Sequence, residues 1–210
     1  MIWILVKGIA VGIAVAAPVG PIGLLCIKRT LDRGWTTGVA SGFGVAAADA
    51  SYGVMVAAGL SATGLLLAYA TPMQAVGGLL IAYLGLRALR AGFRGGPEVA
   101  ARGRAGGTGP GHLGAFASAY ALTIANPTTI LAFAGLVAGL GATAAADPGA
   151  VYVLVAGVFA GSLAWWVFLA SAVALARTRI TPRVTRWLDL GSGTILLVWG
   201  LWIALGALSA

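Results

Sequence analysis

Residue types that carry redox and metal chemistry are scarce in this chain of 210 residues. It has one cysteine, Cys26, and one histidine, His112, which excludes an internal disulfide and a Cys/His zinc site. We therefore predict no metal and no cofactor. Charged residues make up only 9% of the sequence, against about a quarter in a soluble domain, and hydrophobic residues make up 60%. This composition is typical of an integral membrane protein.

The charge is mostly of one sign, with a net value of +8. The basic residues form short blocks between apolar runs rather than a basic amphipathic helix, which argues against a nucleic-acid binder. The positive-inside rule places these blocks in the cytoplasm and both chain termini outside. They are Lys28, Arg29 and Arg33; Arg87, Arg90, Arg94, Arg102 and Arg104; and Arg177, Arg179, Arg183 and Arg186.

The apolar runs predict six membrane-spanning helices in a lipid bilayer, because a span needs about 20 mostly apolar residues. The Gly- and Arg-rich region 94–111 is predicted to be the one true soluble loop, and the apolar stretch 61–70 either extends the second helix or lies at the interface. The predicted spans are residues 2–26, 38–60, 72–89, 113–140, 151–176 and 187–208.

A weak internal repeat relates the two halves of the chain. Gly42, Gly78 and Gly85 match Gly157, Gly193 and Gly200, each at a spacing of 115 residues. Two halves of three spans each must have opposite orientations in the membrane. We therefore predict an all-α fold of two inverted three-helix repeats, residues 1–90 and 113–210, joined by a cytoplasmic loop over 91–112.

One acidic residue, Asp49, lies in the middle of a predicted span. A charged aspartate at the bilayer centre costs about 2.5–3.5 kcal/mol on insertion scales, so it needs a partner, a proton or a polar cavity. The functional interpretation is a site for a substrate ammonium or a proton. The alternative is a structural acid bonded to the backbone of a neighbouring helix. Tyr52 lies one helical turn further on and adds a phenol to the same face.

Two spans contain helix-breaking motifs at corresponding positions. The first contains Pro18-Val19-Gly20-Pro21 and the fourth contains Asn126-Pro127. Each proline removes a backbone donor, and unwound backbone at membrane depth is tolerated only where protein buries it or water lines it. A kink without function is the alternative for either motif alone, but the pairing predicts broken helices 1 and 4 around a binding site.

Other polar or aromatic residues in the spans have simpler interpretations. Trp165 and Trp166 lie in mid-span and could line a cavity, although packing is the preferred interpretation. Asp189 is predicted to pair with Arg186 at the inner end of the sixth span. His112 is placed in the cytoplasmic loop without a role, and Gly8 and Gly12 are predicted to pack closely against another helix.

The segment 8–59 resembles the N-terminal signature of the LysE-type (lysine exporter, RhtB-like) amino-acid exporters. The resemblance lies in Gly8-x3-Gly12, Pro18 to Pro21, Gly38-x3-Gly42 and Ala48-Asp49, and Asn126-Pro127 resembles the fourth-span motif. It implies export of amino acids or related small molecules across the bacterial inner membrane, driven by protons. It also implies that the functional positions are Asp49, Pro18, Gly20, Pro21, Asn126 and Pro127. Thr128 stands where a lysine often follows the Asn-Pro pair.

The sequence therefore predicts a secondary exporter of an amino acid or similar small polar metabolite, with a homodimer possible. A passive channel or uniporter is the main alternative, because it would use the same helix breaks without a titratable group. An intramembrane enzyme is disfavoured, since the predicted spans have no mid-span His, Cys or Glu to act as a base or metal ligand. A scaffold subunit would leave Asp49 unexplained.

Overall fold

The computed structural model describes residues 1–18, 20–57, 62–94, 111–126, 129, 148–176 and 182–208. Within these ranges every element is an α-helix, in agreement with the predicted all-α class. There are seven described helices: α1 Ile2–Ala16, α2 Pro21–Arg33, α3 Trp35–Ala57, α4 Ala62–Arg94, α5 His112–Ile124, α6 Pro148–Ala176 and α7 Pro182–Leu208.

Two of the described helices are individually long and apolar enough to cross a bilayer. They are the segments Gly149–Ala176 of α6 and Asp189–Leu208 of α7. The α1 and α2 pair counts as a third span if it is taken as one broken helix, with an angle of 84° between the two parts. Large apolar side chains are exposed along the outer face of α7, including Val198, Trp202 and Leu205, as expected for a surface covered by lipid.

The third span begins earlier than predicted. The stretch 62–70 belongs to α4, which runs as one helix from Ala62 through Pro72 to Arg94. The prediction that 61–70 extends the second helix is therefore wrong for the residues described, and its location at the interface stays a prediction. This stretch is rich in Ala and Leu, strong helix formers, and the one hydrogen bond lost at Pro72 does not end the helix.

The first basic block is helical rather than part of a loop. Lys28, Arg29 and Arg33 lie in the last turns of α2, which ends at Gly34. Gly34 has a φ of 92°, a left-handed conformation that favours glycine and terminates the helix there. The prediction that these three residues form a loop after the first span is corrected, because α2 continues well past Cys26.

Glycines bring α1 against α6 at backbone distance. A Cβ on Gly8 would collide with the carbonyl oxygen of Leu154, and one on Gly12 would collide with that of Val158. Both contact positions advance together along the two helices, so α1 and α6 run in the same direction. This confirms the close packing predicted for Gly8 and Gly12.

The α4 and α7 pair is packed in the same manner but runs antiparallel. Gly78 lies against Gly200, and Gly85 lies against Gly193. Higher residue numbers on α4 therefore lie opposite lower residue numbers on α7. These four glycines are among the six that the sequence repeat relates by 115 residues.

Helix α3 lies between α5 and α6. It runs parallel to α5, since Gly44 faces Phe116 and Tyr120 while Tyr52 reaches Ile124. It runs antiparallel to α6, and the paired positions are Gly38 with Ala170, Gly42 with Trp166, and Gly53 with Val155. The main buried cluster takes residues from all seven helices, so α3 and its polar side chains lie inside the bundle.

Candidate functional site

The carboxyl group of Asp49 is enclosed between α3 and α6. Only 2% of the residue is exposed. The hydroxyl of Ser162, itself fully buried, donates a hydrogen bond of 2.7 Å to Asp49 Oδ2. The partner is therefore a side-chain hydroxyl on a neighbouring helix, whereas the structural alternative from the sequence assumed a backbone partner.

Tyr52 connects the helix of Asp49 to the end of α5. Its side chain is 2% exposed, and its hydroxyl donates to the carbonyl oxygen of Ile124 at 2.5 Å. Ile124 is the last residue of α5, where helix carbonyls lack intrahelical partners and need another donor. Val15, one residue before the end of α1, packs against the cluster that contains Tyr52. Tyr52 thus lies next to the end of α5, and the cluster that it forms with Val158 also contacts the last turn of α1.

The predicted interruption of the first span is confirmed. Helix α1 ends at Ala16 and α2 begins at Pro21, a position in the first helical turn where the missing N–H has no cost. Gly20 precedes α2 in an extended conformation, and its N–H donates to the carbonyl oxygen of Pro18 at 3.0 Å. Pro18 is exposed, whereas Gly20 and Pro21 are half-buried.

The Asn-Pro pair of the fourth predicted span lies just beyond the end of a described helix. Helix α5 ends at Ile124, and the N–H of Asn126 donates to the carbonyl oxygen of Thr123 at 3.1 Å. The carbonyl oxygen of Asn126 accepts from the N–H of Thr129, also at 3.1 Å, so the chain turns tightly here. Asn126 is half-buried. Pro127 lies outside the described residues.

These contacts bring part of the predicted set together. Asp49 and Tyr52 share one face of α3, and Tyr52 is hydrogen-bonded to the end of α5, two residues before Asn126. Near the first helix break, Val15 packs against the cluster formed by Tyr52 and Val158. The Pro18 ring lies at the protein surface.

Sequence reasoning missed Arg29, which is 7% exposed and lies within the bundle. Its guanidinium donates to the Ser41 hydroxyl at 3.0 Å, the Ala115 carbonyl at 2.9 Å and the Ser118 hydroxyl at 2.8 Å. Arg29 therefore joins α2 to α3 and α5. The helical spacing of Ile22, Leu25, Cys26 and Arg29, all buried on one face of α2, is the signal that could have revealed it.

Two predictions about residues at the helix ends, the partner of Asp189 and the position of His112, need correction. Asp189 pairs with Lys28 of α2, not with the predicted partner Arg186, and Lys28 also lies 3.2 Å from Asp32. The sequence could not show that α2 and α7 meet here. His112 is the first residue of α5 and not part of a loop, and its ring nitrogen lies 3.1 Å from the Thr36 hydroxyl.

Comparison with known proteins agrees with this architecture. The family model of the LysE type translocators matches residues 13–206, which is nearly the whole chain. The chain belongs to the LysE type translocator family. It is also 26% identical over 195 residues to a protein of Bacillus subtilis (strain 168) named "Putative amino acid efflux protein YcgF", covering 91% of this chain and 90% of that one. No solved structure matches the chain.

Membership of the LysE type translocators fixes the broad role. The protein is a multi-pass membrane exporter that acts on a small molecule, and it is a transporter rather than an enzyme. The resemblance stated from Gly8-x3-Gly12, the proline motif and Ala48-Asp49 is thereby confirmed.

Proposed function

We propose that this LysE type translocator is a proton-coupled secondary exporter of an amino acid or a related small polar metabolite across the bacterial inner membrane. Asp49 binds the substrate ammonium or the coupling proton. The observation that carries the proposal is the buried Asp49 carboxyl, hydrogen-bonded by the neutral hydroxyl of Ser162 and one turn from Tyr52 at the interrupted helices.

The energetics of Asp49 favour this role over a purely structural one. A buried carboxylate is stabilised mainly by a cation or by several donors, and a single hydroxyl offsets only part of the desolvation cost. Binding of a proton or an ammonium group would remove that charge. An exporter needs such a group, since the same site must bind its cation on one side of the membrane and release it on the other.

The substrate class is supported by the relative in Bacillus subtilis, whose name refers to amino acid efflux. An amino acid carries an ammonium group that matches Asp49. The first backbone N–H groups of α2, which follow Pro21, would be donors for the rest of the substrate, as at broken helices in other transporters.

The helix directions support two inverted halves, residues 1–90 and 113–210, that exchange access by rocking. In a chain that crosses the membrane six times, spans 1 and 5 are parallel, as are spans 2 and 4, while spans 3 and 6 are antiparallel. The pairs α1 with α6, α3 with α5, and α4 with α7 have these directions. Asp49 and Ser162 then belong to opposite halves, so rocking changes the contact between them.

Topology follows from the same arrangement. The basic blocks lie in the sequence at or beyond the C-terminal ends of α2, α4 and α6, and we place them in the cytoplasm, with both termini outside. Small-residue faces are compatible with a homodimer, which stays a prediction.

Reconstitution into proteoliposomes tests the proposal. Wild-type protein should drive efflux of at least one amino acid in response to an imposed pH gradient, and Asp49→Asn should abolish that response. Asp32→Asn is the matched control, because Asp32 is a partly exposed acid at the end of α2 and should retain efflux. Efflux that Asp49→Asn leaves unchanged would remove Asp49 from the mechanism. Downhill flux that ignores the pH gradient would favour the channel or uniporter alternative.

A further inference from the structure

Two adjacent indoles on α6 have buried N–H groups without a hydrogen-bond partner. They are the Nε1 atoms of Trp165 and Trp166, and they are the only such buried side-chain atoms among the described residues. Trp166 is only 5% exposed. Buried indoles normally donate to an acceptor, and an unsatisfied donor destabilises the folded state. By contrast, Trp35 Nε1 donates to the Ser171 hydroxyl at 3.0 Å.

The position of Trp166 relates it to the proposed substrate site. It lies one turn after Ser162 on α6, and its Cβ faces Gly42 on the helix that carries Asp49. Side chains on a helix tilt toward its N-terminus, which for Trp166 is the direction of Ser162. Trp166 also belongs to the buried cluster that contains Ala16 and Ile22, which flank the first helix break.

We propose that the indole N–H of Trp166 is a substrate-binding donor that holds the carboxylate of the exported amino acid while Asp49 holds its cationic end. This inference rests on the proposed function, because it assigns the second half of the same site. A carboxylate accepts a charge-assisted hydrogen bond from a neutral donor, which is stronger than a neutral pair. A donor that has no partner among the described residues can form that bond without breaking another.

Neighbouring donors fit this role less well. Trp165 lies about 60° around the helix from Ser162, against about 40° for Trp166, and its ring packs beside the exposed Phe168. Arg29 already donates to Ser41, Ala115 and Ser118. The Ser41 hydroxyl already donates to the carbonyl oxygen of Thr37 and accepts from Arg29.

The first test needs no substrate. Replacing a tryptophan with 3-benzothienylalanine exchanges the indole N–H for sulfur at almost constant shape. Trp166→3-benzothienylalanine should leave the melting temperature of the purified protein unchanged or raise it, because no hydrogen bond is lost. The same replacement at Trp35 removes the bond to Ser171 and should lower the melting temperature by roughly 2 °C. A drop at Trp166 as large as at Trp35 would mean that the N–H has a structural partner, and would overturn the proposal.

The second test measures recognition. Proteoliposomes are loaded with an equimolar mixture of the twenty L-amino acids, or with the corresponding amines that lack the carboxylate, and efflux of each compound is quantified. Trp166→3-benzothienylalanine should slow efflux of the transported amino acid roughly tenfold at low loading. It should change amine efflux less than twofold, and the replacement at Trp35 should affect neither.

The outcomes separate this inference from the proposed function. Equal slowing of amino acid and amine, or no slowing of either, would overturn the role of Trp166 while wild-type efflux still supports the exporter. Normal pH-driven efflux by Asp49→Asn, together with carboxylate-selective slowing at Trp166, would overturn the role of Asp49 and support that of Trp166. Absence of efflux of every amino acid by the wild type would overturn both.

Discussion

Substituting Gly12 with alanine tests how closely the structure holds α1 against α6. A Cβ at this position would overlap the carbonyl oxygen of Val158, and it would lie 2.8 Å from the backbone nitrogen of Ser162. Both are backbone atoms, so no side chain can rotate away to make room. Helix α1 or α6 would have to move by more than about 1 Å to restore ordinary contact distances.

The magnitude follows from two opposing effects. Overpacking of this kind costs about 1–3 kcal/mol, whereas the higher helix propensity of alanine returns about 1 kcal/mol. Gly12→Ala should therefore reduce the free energy of unfolding by up to about 2 kcal/mol. Gly191→Ala is the matched control, because Gly191 is also helical but has no atom within 4 Å of the position that a Cβ would occupy, so it should gain about 0.5–1 kcal/mol.

Thermal unfolding of the two variants in the same detergent measures the difference. The two variants should differ by about 0.5–3 kcal/mol, so at about 2–4 °C per kcal/mol for a chain of this size Gly12→Ala should melt roughly 1–12 °C below Gly191→Ala. Because the strain falls on Ser162, the hydrogen-bond partner of Asp49, Gly12→Ala should also slow efflux. A Gly12→Ala protein as stable as Gly191→Ala would refute the close contact between α1 and α6.

Two further predictions concern the polar contacts of α2. Arg29→Lys keeps the charge, but lysine cannot reach all three acceptors. In thermal unfolding it should lower the free energy of unfolding by about 2–4 kcal/mol. Stability equal to wild type would contradict the three observed hydrogen bonds. Lys28→Asp should destabilise the contact between α2 and α7 by about 1 kcal/mol, since the ion pair is partly exposed. The double variant Lys28→Asp with Asp189→Lys should recover most of the lost stability. Failure to recover it would show that the ion pair with Asp189 does not stabilise this contact.

The features that the sequence predicted correctly are those encoded locally. A proline removes a backbone donor wherever it lies, so the ends of α1 at Ala16 and of α5 at Ile124 follow from the residues just after them. Glycines four residues apart form a flat helix face in any surroundings, which is why the packing of Gly8 and Gly12 was predictable. The burial of Asp49 was also predictable, because a charge in an apolar run is costly irrespective of the fold, while its role in transport stays a prediction.

What the sequence did not reveal depends on which helices meet. The positive-inside rule treats Lys28 and Arg29 as loop charges, yet both lie in α2. Arg29 is buried within the bundle, and Lys28 pairs with Asp189 of α7. The partner of Asp189 is 161 residues away, so the nearer Arg186 was the natural guess. The unsatisfied state of Trp166 Nε1 is likewise a property of its surroundings, since the residue type alone predicts a packed aromatic.

The packing of α3 against α6 limits how Asp49 can be reached. On one side of it, Gly42 faces Trp166, and on the other Gly53 faces Val155, so the two helices are in close contact on both sides of the carboxyl group. A substrate cannot pass between helices held this closely unless they separate at one end. Separation at one end with contact kept at the other is the motion that rocking halves produce, and it would expose Asp49 to each side of the membrane in turn. The same motion would release Ser162 from Asp49, so binding of the substrate ammonium and loss of that hydrogen bond would be a single event.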